Sequence, residues 1–410
     1  MSPVTFQRWV KCTWLVALAI VSVDLGAGQP TSTAAEPNPV TVPTAASPSI
    51  LADDTGAIAE VLIHFPASEG ADTREVIAEL LSSLNPQTNV VVACPNRAAV
   101  EVFEQEMGVR ARAGGRQVRV FDVGMDISIW ARDRCIARQN PDGSHACLLV
   151  PRPLPTFDVW RLNELYTPFA LESVGAFPDA RATSVVLEGG NIVGNAKYAF
   201  VGANAIDENE DRLDGPEGIA RLMRDLRQLA GKEIVVVGGD EREVPWDHVD
   251  MYLTPVAEKT VLLADPDLSA QIFGVDSVEM TLSDEEDAPF ASPIDTSSIL
   301  EQIAQRLRQL GFVVIRVPAI INIPEQWMVT YNNVLIDERE GRRTVIMPVY
   351  GLDALDAYAQ RVYEQLGFNV KTVNVTGVYE SGGALRCITN VTRRDYGKAV
   401  GQIPEVKSKQ

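Results

Sequence analysis

The chain has 410 residues, 46% of them hydrophobic, enough to bury a large core in one domain or several. Acidic residues outnumber basic ones 55 to 36, for a formal net charge of −19. That sign argues against a phosphate-rich nucleic acid as partner and would draw in a cationic ligand.

Residues 1–28 read as an export signal. Arg8 and Lys11 supply the positive start, Cys12 to Val23 a short apolar run, and Gly26, Ala27 and Gly28 the small residues that follow. So short a run argues for cleavage rather than a stable membrane anchor, and predicts a periplasmic or secreted protein. Residues 29–56, rich in Pro, Thr, Ala and Ser, read as a disordered tether. The folded domain is expected over 57–400, with 401–410 a tail.

Beyond the signal stand Cys94, Cys135, Cys147 and Cys387. Cys135 and Cys147 are equidistant from Pro141 in the turn sequence Asn140-Pro141-Asp142-Gly143-Ser144. A hairpin would set them face to face, so an oxidising compartment leaves open either a cross-strand disulfide or two free thiols.

The chain then repeats one unit of strand, strand, helix, strand. One copy has strands at 185–193 and 197–203, a helix to Ala230, Gly231, and a strand at 233–237. Another has strands at 249–254 and 260–264, a helix from Ser297 to Leu310, Gly311, and a strand to Val317. A third has strands at 328–336 and 343–348, a helix from Asp353 to Leu366, Gly367, and a strand at 368–374. Glycine after each helix fits a left-handed C-cap. The hairpin around Pro141 opens a less regular copy. The last strand, Ala384–Val391, finds its missing partners at the N-terminus, in strands at 59–65 and 89–93 around a helix from Thr73 to Leu84. Five copies that close in this way predict an α/β propeller of five blades with pseudo-fivefold symmetry in a single domain.

Each first strand carries a polar cluster where a core strand would carry none. In chain order these are Asp133 after Trp130-Ala131-Arg132, Glu188-Gly189-Gly190-Asn191, His248 with Asp250, Tyr331-Asn332-Asn333, and Cys387 after Gly382-Gly383. Buried polar groups cost free energy unless they serve one another or a ligand, so the clusters are expected to converge on one site. His248 and Asp250, two apart on a strand, would share a face. The set then offers a thiol, an imidazole and two carboxylates. Two carboxylates suit a planar guanidinium, and that cation favours thiolate at Cys387. The thiolate attacks the guanidinium carbon and the imidazole protonates departing ammonia. Only three histidines are present, in unrelated contexts, so a zinc site would need an irregular ligand set. A non-catalytic module that captures cations is the competing class.

Trp130-Ala131-Arg132-Asp133, Leu187-Glu188-Gly189-Gly190-Asn191, His248-Val249-Asp250, Thr330-Tyr331-Asn332-Asn333 and Gly382-Gly383-Ala384-Leu385-Arg386-Cys387-Ile388-Thr389 together resemble the agmatine deiminase and bacterial peptidyl-arginine deiminase family. The resemblance covers roughly residues 57–400. It implies the five-bladed α/β propeller, no metal and no organic cofactor. It implies Cys387 as nucleophile through a covalent thiouronium, His248 as proton donor and then base, and Asp133 and Asp250 as the guanidinium clamp. Trp130 and Asn333 would shape the pocket, and Glu188, Gly190, Asn191 and Gly383 would support it. The expected substrate is peptidyl-arginine, converted to citrulline and ammonia, with agmatine giving N-carbamoylputrescine as the alternative. Arg152 is the candidate contact for a peptide carboxylate.

Three departures from the family pattern stand out. Arg386 replaces the usual His before the cysteine, and would point to the opposite strand face. Arg134-Cys135-Ile136 stands where Gly-Pro is usual. An acidic insert within 276–295, including Ser283-Asp284-Glu285-Glu286-Asp287, reads as a solvated loop, with a lid or weak calcium binding as alternatives.

Overall fold

Runs of β-branched and aliphatic residues set the strands of this computed structural model, which describes residues 47–154, 159–215, 217–275 and 295–397. In chain order they are β1 (Ser49–Ile50), β2 (Ala57–His64), β3 (Asn89–Cys94), β4 (Val118–Asp122), β5 (Ile136–Gln139), β6 (His145–Val150), β7 (Ala180–Ala182), β8 (Ile192–Gly194) and β9 (Tyr198–Gly202). There follow β10 (Glu233–Val237), β11 (Leu253–Ala257), β12 (Thr260–Asp265), β13 (Val313–Asn322), β14 (Trp327–Thr330), β15 (Leu335–Arg339), β16 (Arg342–Val349), β17 (Asn369–Asn374) and β18 (Thr389–Asp395). The export signal, most of the tether, the acidic insert at 276–294 and the tail lie outside the described residues. Among the described residues no helix is long and apolar enough to cross a membrane.

The strands form five sheets on one plan. In each, an antiparallel pair is extended by a parallel third strand: β5–β6–β7, β8–β9–β10, β11–β12–β13, β15–β16–β17 and β18–β2–β3. A parallel partner requires a crossover, and helices supply it. They are Ala71–Ser83, Gly218–Ala230, Thr296–Gln309 and Asp353–Gln365, with two short helices, Val159–Glu164 and Thr167–Ser173, in the less regular unit.

Local chemistry explains why these helices start and stop where they do. In Thr296–Gln309, Ile299, Leu300, Ile303, Ala304 and Leu307 form one buried stripe at helical spacing. The Asp295 side chain accepts the Ser298 N–H at 2.9 Å, a cap that contributes about 1 kcal/mol. Gly311 follows at φ 79, the left-handed conformation that ends a helix without a Cβ clash.

The last strand does return to the N-terminal part of the chain, pairing with β2, with Thr389 opposite Ile63 and Asn390 opposite Leu62. Arg394 fixes that junction. Its buried Nη1 donates to the carbonyls of Thr55, Gly56 and Ile336 at 3.0, 2.9 and 2.8 Å.

Several expectations are corrected. Ordered chain begins before Ala57: β1 pairs with β5, and Leu51, Ala52, Asp53 and Asp54 are buried. The run at 328–336 is two strands, with Tyr331–Val334 turning between β14 and β15. The hairpin of Cys135 and Cys147 is asymmetric. Arg138 stands opposite Cys147, a bulge follows, and Cys135 lies before β5. Both thiols are free.

Candidate active site

The five polar clusters do not sit on strands. Each occupies a short turn immediately before a strand. Trp130–Asp133 precedes β5, the 3-10 turn Gly189–Asn191 precedes β8, and the 3-10 turn Val249–Met251 precedes β11. Asn333 precedes β15, and Cys387 lies in a turn before β18. The expected shared strand face of His248 and Asp250, and the opposed strand faces of Arg386 and Cys387, are therefore corrected. In a 3-10 turn the side chains fan around an axis, and residues two apart diverge.

Hydrogen bonds tie the turns to one another. Arg132 N–H donates to the Cys387 carbonyl at 3.1 Å, and Gly189 N–H to the Asp133 carbonyl at 3.4 Å. Asn333 holds the cysteine turn from two sides. Its Oδ1 accepts the N–H groups of Arg386 (2.8 Å) and Cys387 (3.2 Å). Its Nδ2 lies 3.3 Å from both Cys387 Sγ and the Asp250 carbonyl. Asn390, in β18, donates to the carbonyls of Cys135 (2.8 Å) and Ala131 (3.3 Å).

Two glycines are explained by close approach. A Cβ on Gly190 would stand 2.5 Å from His248 Nδ1 and 3.1 Å from Asp133 Oδ1. A Cβ on Gly383 would stand 2.4 Å from the Trp130 ring. Both positions let a turn press against a site side chain.

The turns surround a cavity of about 280 Å³. Trp130, Asp133, Glu188, Asn191, His248 and Cys387 line it. Leu154, Arg161, Glu208, Trp246, Asp247, Gln326, Ser381 and Gly382 complete the wall. Four carboxyl groups on one small cavity suit a cationic guest.

His248 is the electrostatic centre. Its Nε2 lies 3.1 Å from Glu188 Oε2 and its Nδ1 3.6 Å from Asp133 Oδ1. Burial opposes charge on the imidazole, but the Asp133 and Glu188 carboxylates outweigh it and raise the pKa to about 10. Burial pushes Glu188 up, yet the hydrogen bond and charge of His248 hold it at about 2. Burial raises Asp133 to about 6 against the pull of His248. Burial, then the Asp250 and Asp133 charges, push the Cys387 thiol well above its ordinary range. The resting site thus pairs an imidazolium with a neutral thiol.

Asp250 stands apart from this wall. Its buried carboxylate lies 3.2 Å from Arg386 Nε, behind the cavity-lining residues. Arg152, the expected carboxylate contact, is also elsewhere: both its Nη atoms bind Asp211 at 2.7 Å. The arginine on the wall is Arg161. Asn333 and Gly190 act from behind the wall through the contacts above.

Sequence reasoning missed several contributors. Trp246 and Asp247 directly precede His248, and that adjacency was the available signal. Glu208 is raised to about 7 by burial and by Glu188, and only folding brings it in. Arg134, one of the departures from the family pattern, is buried 2.9 Å from Glu164 and 3.4 Å from Glu188, which it braces against His248.

Comparison with known proteins places this geometry. Residues 51–392 match the model of the Porphyromonas-type peptidyl-arginine deiminase family. Among solved structures, C. jejuni agmatine deiminase superposes with a TM-score of 0.60 at 14% identity, covering 86% of this chain and 97% of that one. A form of the C. jejuni enzyme with substrate bound gives 0.60 and 14%, covering 85% and 96%. Agmatine deiminase of Enterococcus faecalis gives 0.57 and 16%, covering 85% and 95%. These likenesses show a shared α/β fold. No curated protein matches the sequence significantly. With its family model covering most of its length, this chain belongs to the Porphyromonas-type peptidyl-arginine deiminases and is a guanidino-modifying hydrolase.

Proposed function

We propose that the protein is an exported deiminase that converts peptidyl-arginine to citrulline and ammonia through a covalent thiouronium on Cys387. The observation that carries this reading is the shared cavity wall of Cys387, His248, Asp133 and Glu188. An arginine side chain enters with its guanidinium toward Asp133, with Trp130 alongside. The arriving cation favours loss of the Cys387 proton to solvent, since a thiol with a raised pKa gains most from a neighbouring positive charge.

The thiolate adds to the guanidinium carbon. His248 gives its proton to one nitrogen, ammonia departs, and a cationic thiouronium remains with a neutral imidazole. Water then adds to that carbon and passes a proton to His248. Collapse breaks the C–S bond, restores the thiolate, and releases the ureido product and one proton to solvent. Glu188 and Asp133 keep His248 protonated until the ammonia step. Asn333 supports the thiolate with its Nδ2–H. No metal or organic cofactor takes part in this scheme.

The charge pattern at residues 8–28 supports export, and export favours a peptide substrate over a cytoplasmic polyamine. Five sheets of one plan, with β18 paired back to β2, support a five-bladed ring with pseudo-fivefold symmetry. Agmatine remains the second substrate reading, supported by the acids Glu208 and Asp247 on the wall, which suit a second cationic group. Ammonia and ureido product are measured with arginine peptides, free arginine and agmatine, for the wild type and Cys387→Ala. Turnover of peptides, lost in the variant, is the expected result. Turnover of agmatine alone would move the substrate to the polyamine class, and folded protein silent on every guanidine would leave only a cation-binding module.

A further inference from the structure

Behind Cys387, on the side away from the cavity, lies a second ionic cluster that the mechanism above leaves unused. Arg386 is buried, with 6% of its side chain exposed, and three of its nitrogens face carboxylates. Nε lies 3.2 Å from Asp250 Oδ2, while Nη1 and Nη2 each lie 2.9 Å from an oxygen of Asp53. Asp53 is itself anchored. Its Oδ2 accepts the Gly194 N–H at 2.8 Å, and its own N–H donates to the Gly194 carbonyl at 2.6 Å. A segment just before the first long strand is thus joined to the turn of the nucleophile across more than 330 positions.

We propose that Asp53 and Arg386 are positioning residues for Asp250, holding it as a charged carboxylate behind Cys387 so that a negative charge backs the cavity wall for the guanidinium. This rests on the reading that the cavity takes a guanidinium. The groups facing Asp250 come from every surrounding turn: Arg386 and Cys387, Arg132 and Asp133, His248 and Tyr252, and Asp53. Burial pushes Asp250 above the ordinary carboxylate range, and Arg386 is the foremost opposing influence. A buried acid that loses such a partner takes up a proton rather than remain an isolated charge. Asp53 holds the guanidinium through the Nη1 hydrogen bond and the Nη2 ion pair, which keeps Nε within ion-pair distance of Asp250. The backbone of the cysteine turn is held separately by Asn333, so a change of side chain at 386 leaves that turn its own support.

The test uses Arg386→Gln, Arg386→Lys, Asp53→Asn and the Asp53→Asn/Arg386→Gln double variant in the full chain. Agmatine binding is measured by calorimetry between pH 6 and 9, with Cys387→Ala as the common background to prevent turnover. Relative to that parent, Arg386→Gln is expected to bind about tenfold more weakly at pH 6. The deficit shrinks toward pH 9 as Asp250 loses its proton. Arg386→Lys retains most of the affinity, and Asp53→Asn shows a smaller loss of the same pH form.

A second measurement needs no ligand. In urea unfolding, the double variant is expected to lose stability relative to Asp53→Asn, and the loss to grow between pH 5 and 8. The sign follows because Asp250, with its folded pKa raised further, holds a proton that the unfolded chain releases, so stability falls as pH rises. Comparison with Asp53→Asn removes the titration of Asp53 itself. A deficit that is flat with pH overturns the proposal, even where agmatine does not bind. Wild-type protein that fails to release ammonia from any guanidine overturns the deiminase reading alone, because the unfolding comparison needs no turnover.

Discussion

Two ionic clusters flank Cys387, each setting two carboxylates around one basic side chain, an imidazole on one side and a guanidinium on the other. On the cavity side His248 is held between Glu188 and Asp133, with 14% and 7% of those side chains exposed. Acids there outnumber bases, and the imidazole is driven toward its charged form. On the far side Asp250 and Asp53 meet Arg386, a cation that does not give up its proton, and Asp53 is held at about 2 against its own burial. The first cluster keeps a movable proton. The second keeps fixed charges. Which partner is titratable, rather than how many charges are present, separates chemistry from support.

The largest expected effect tests the cavity side. Cys387→Ala should lower deiminase activity by on the order of 10⁴-fold or more, read as ammonia release. Residual activity above that level would place the nucleophile elsewhere. Replacing His248 by Gln should cost roughly 10²–10⁴-fold, with the ammonia-release step most affected in single-turnover measurements.

Glu188→Gln sharpens the comparison by removing one of the two acids that hold the proton on His248. The alkaline limb of the kcat/KM profile should move down by about one to three pH units. An unchanged limb would show that Asp133 alone sets the imidazole. The same linkage acts on stability. A His whose folded pKa is raised from 6.5 to about 10 gives stability that is present in full below pH 6.5 and lost as pH rises through 10. Urea unfolding across that window should show a decline for the wild type that His248→Gln flattens.

Smaller effects test how the turns press together. Gly190→Ala sets a methyl 2.5 Å from His248 Nδ1 and should cost about 1–3 kcal/mol in unfolding free energy, with a larger proportional loss of activity. Asn333→Ala leaves two backbone N–H groups and the thiol without their partner. It should cost about 1–3 kcal/mol of stability and raise the pH needed for thiol alkylation of substrate-bound protein.

Much of the scaffold was legible because its signals are local. Helix stripes such as Ile299, Leu300 and Ile303, the glycines at 231, 311 and 367, and the repeated order of strands and helices are written in neighbouring residues. Thr296–Gln309 and Asp353–Gln365 fall within a residue of their predicted bounds. Cys387, His248, Asp133 and Glu188 stood out as polar residues in apolar runs, and the cavity unites them. The runs themselves misled at their first residues. β-prone composition extends through 328–336, but Asn333 satisfies the backbone of another turn, and that tertiary demand breaks the strand.

The sequence by itself determined the repeated unit, its helix ends and the candidate polar residues that the cavity unites, because periodicity, caps and residue chemistry need only near neighbours. Tertiary structure alone decided the partners. It set Arg386 on Asp53 and Asp250, freed Cys135 and Cys147 from each other, tied Arg152 to Asp211 and brought Glu208 to the cavity. The physical reason is that a buried charge takes whatever countercharge the packed turns bring within reach, and that pairing is fixed by the fold rather than by spacing along the chain.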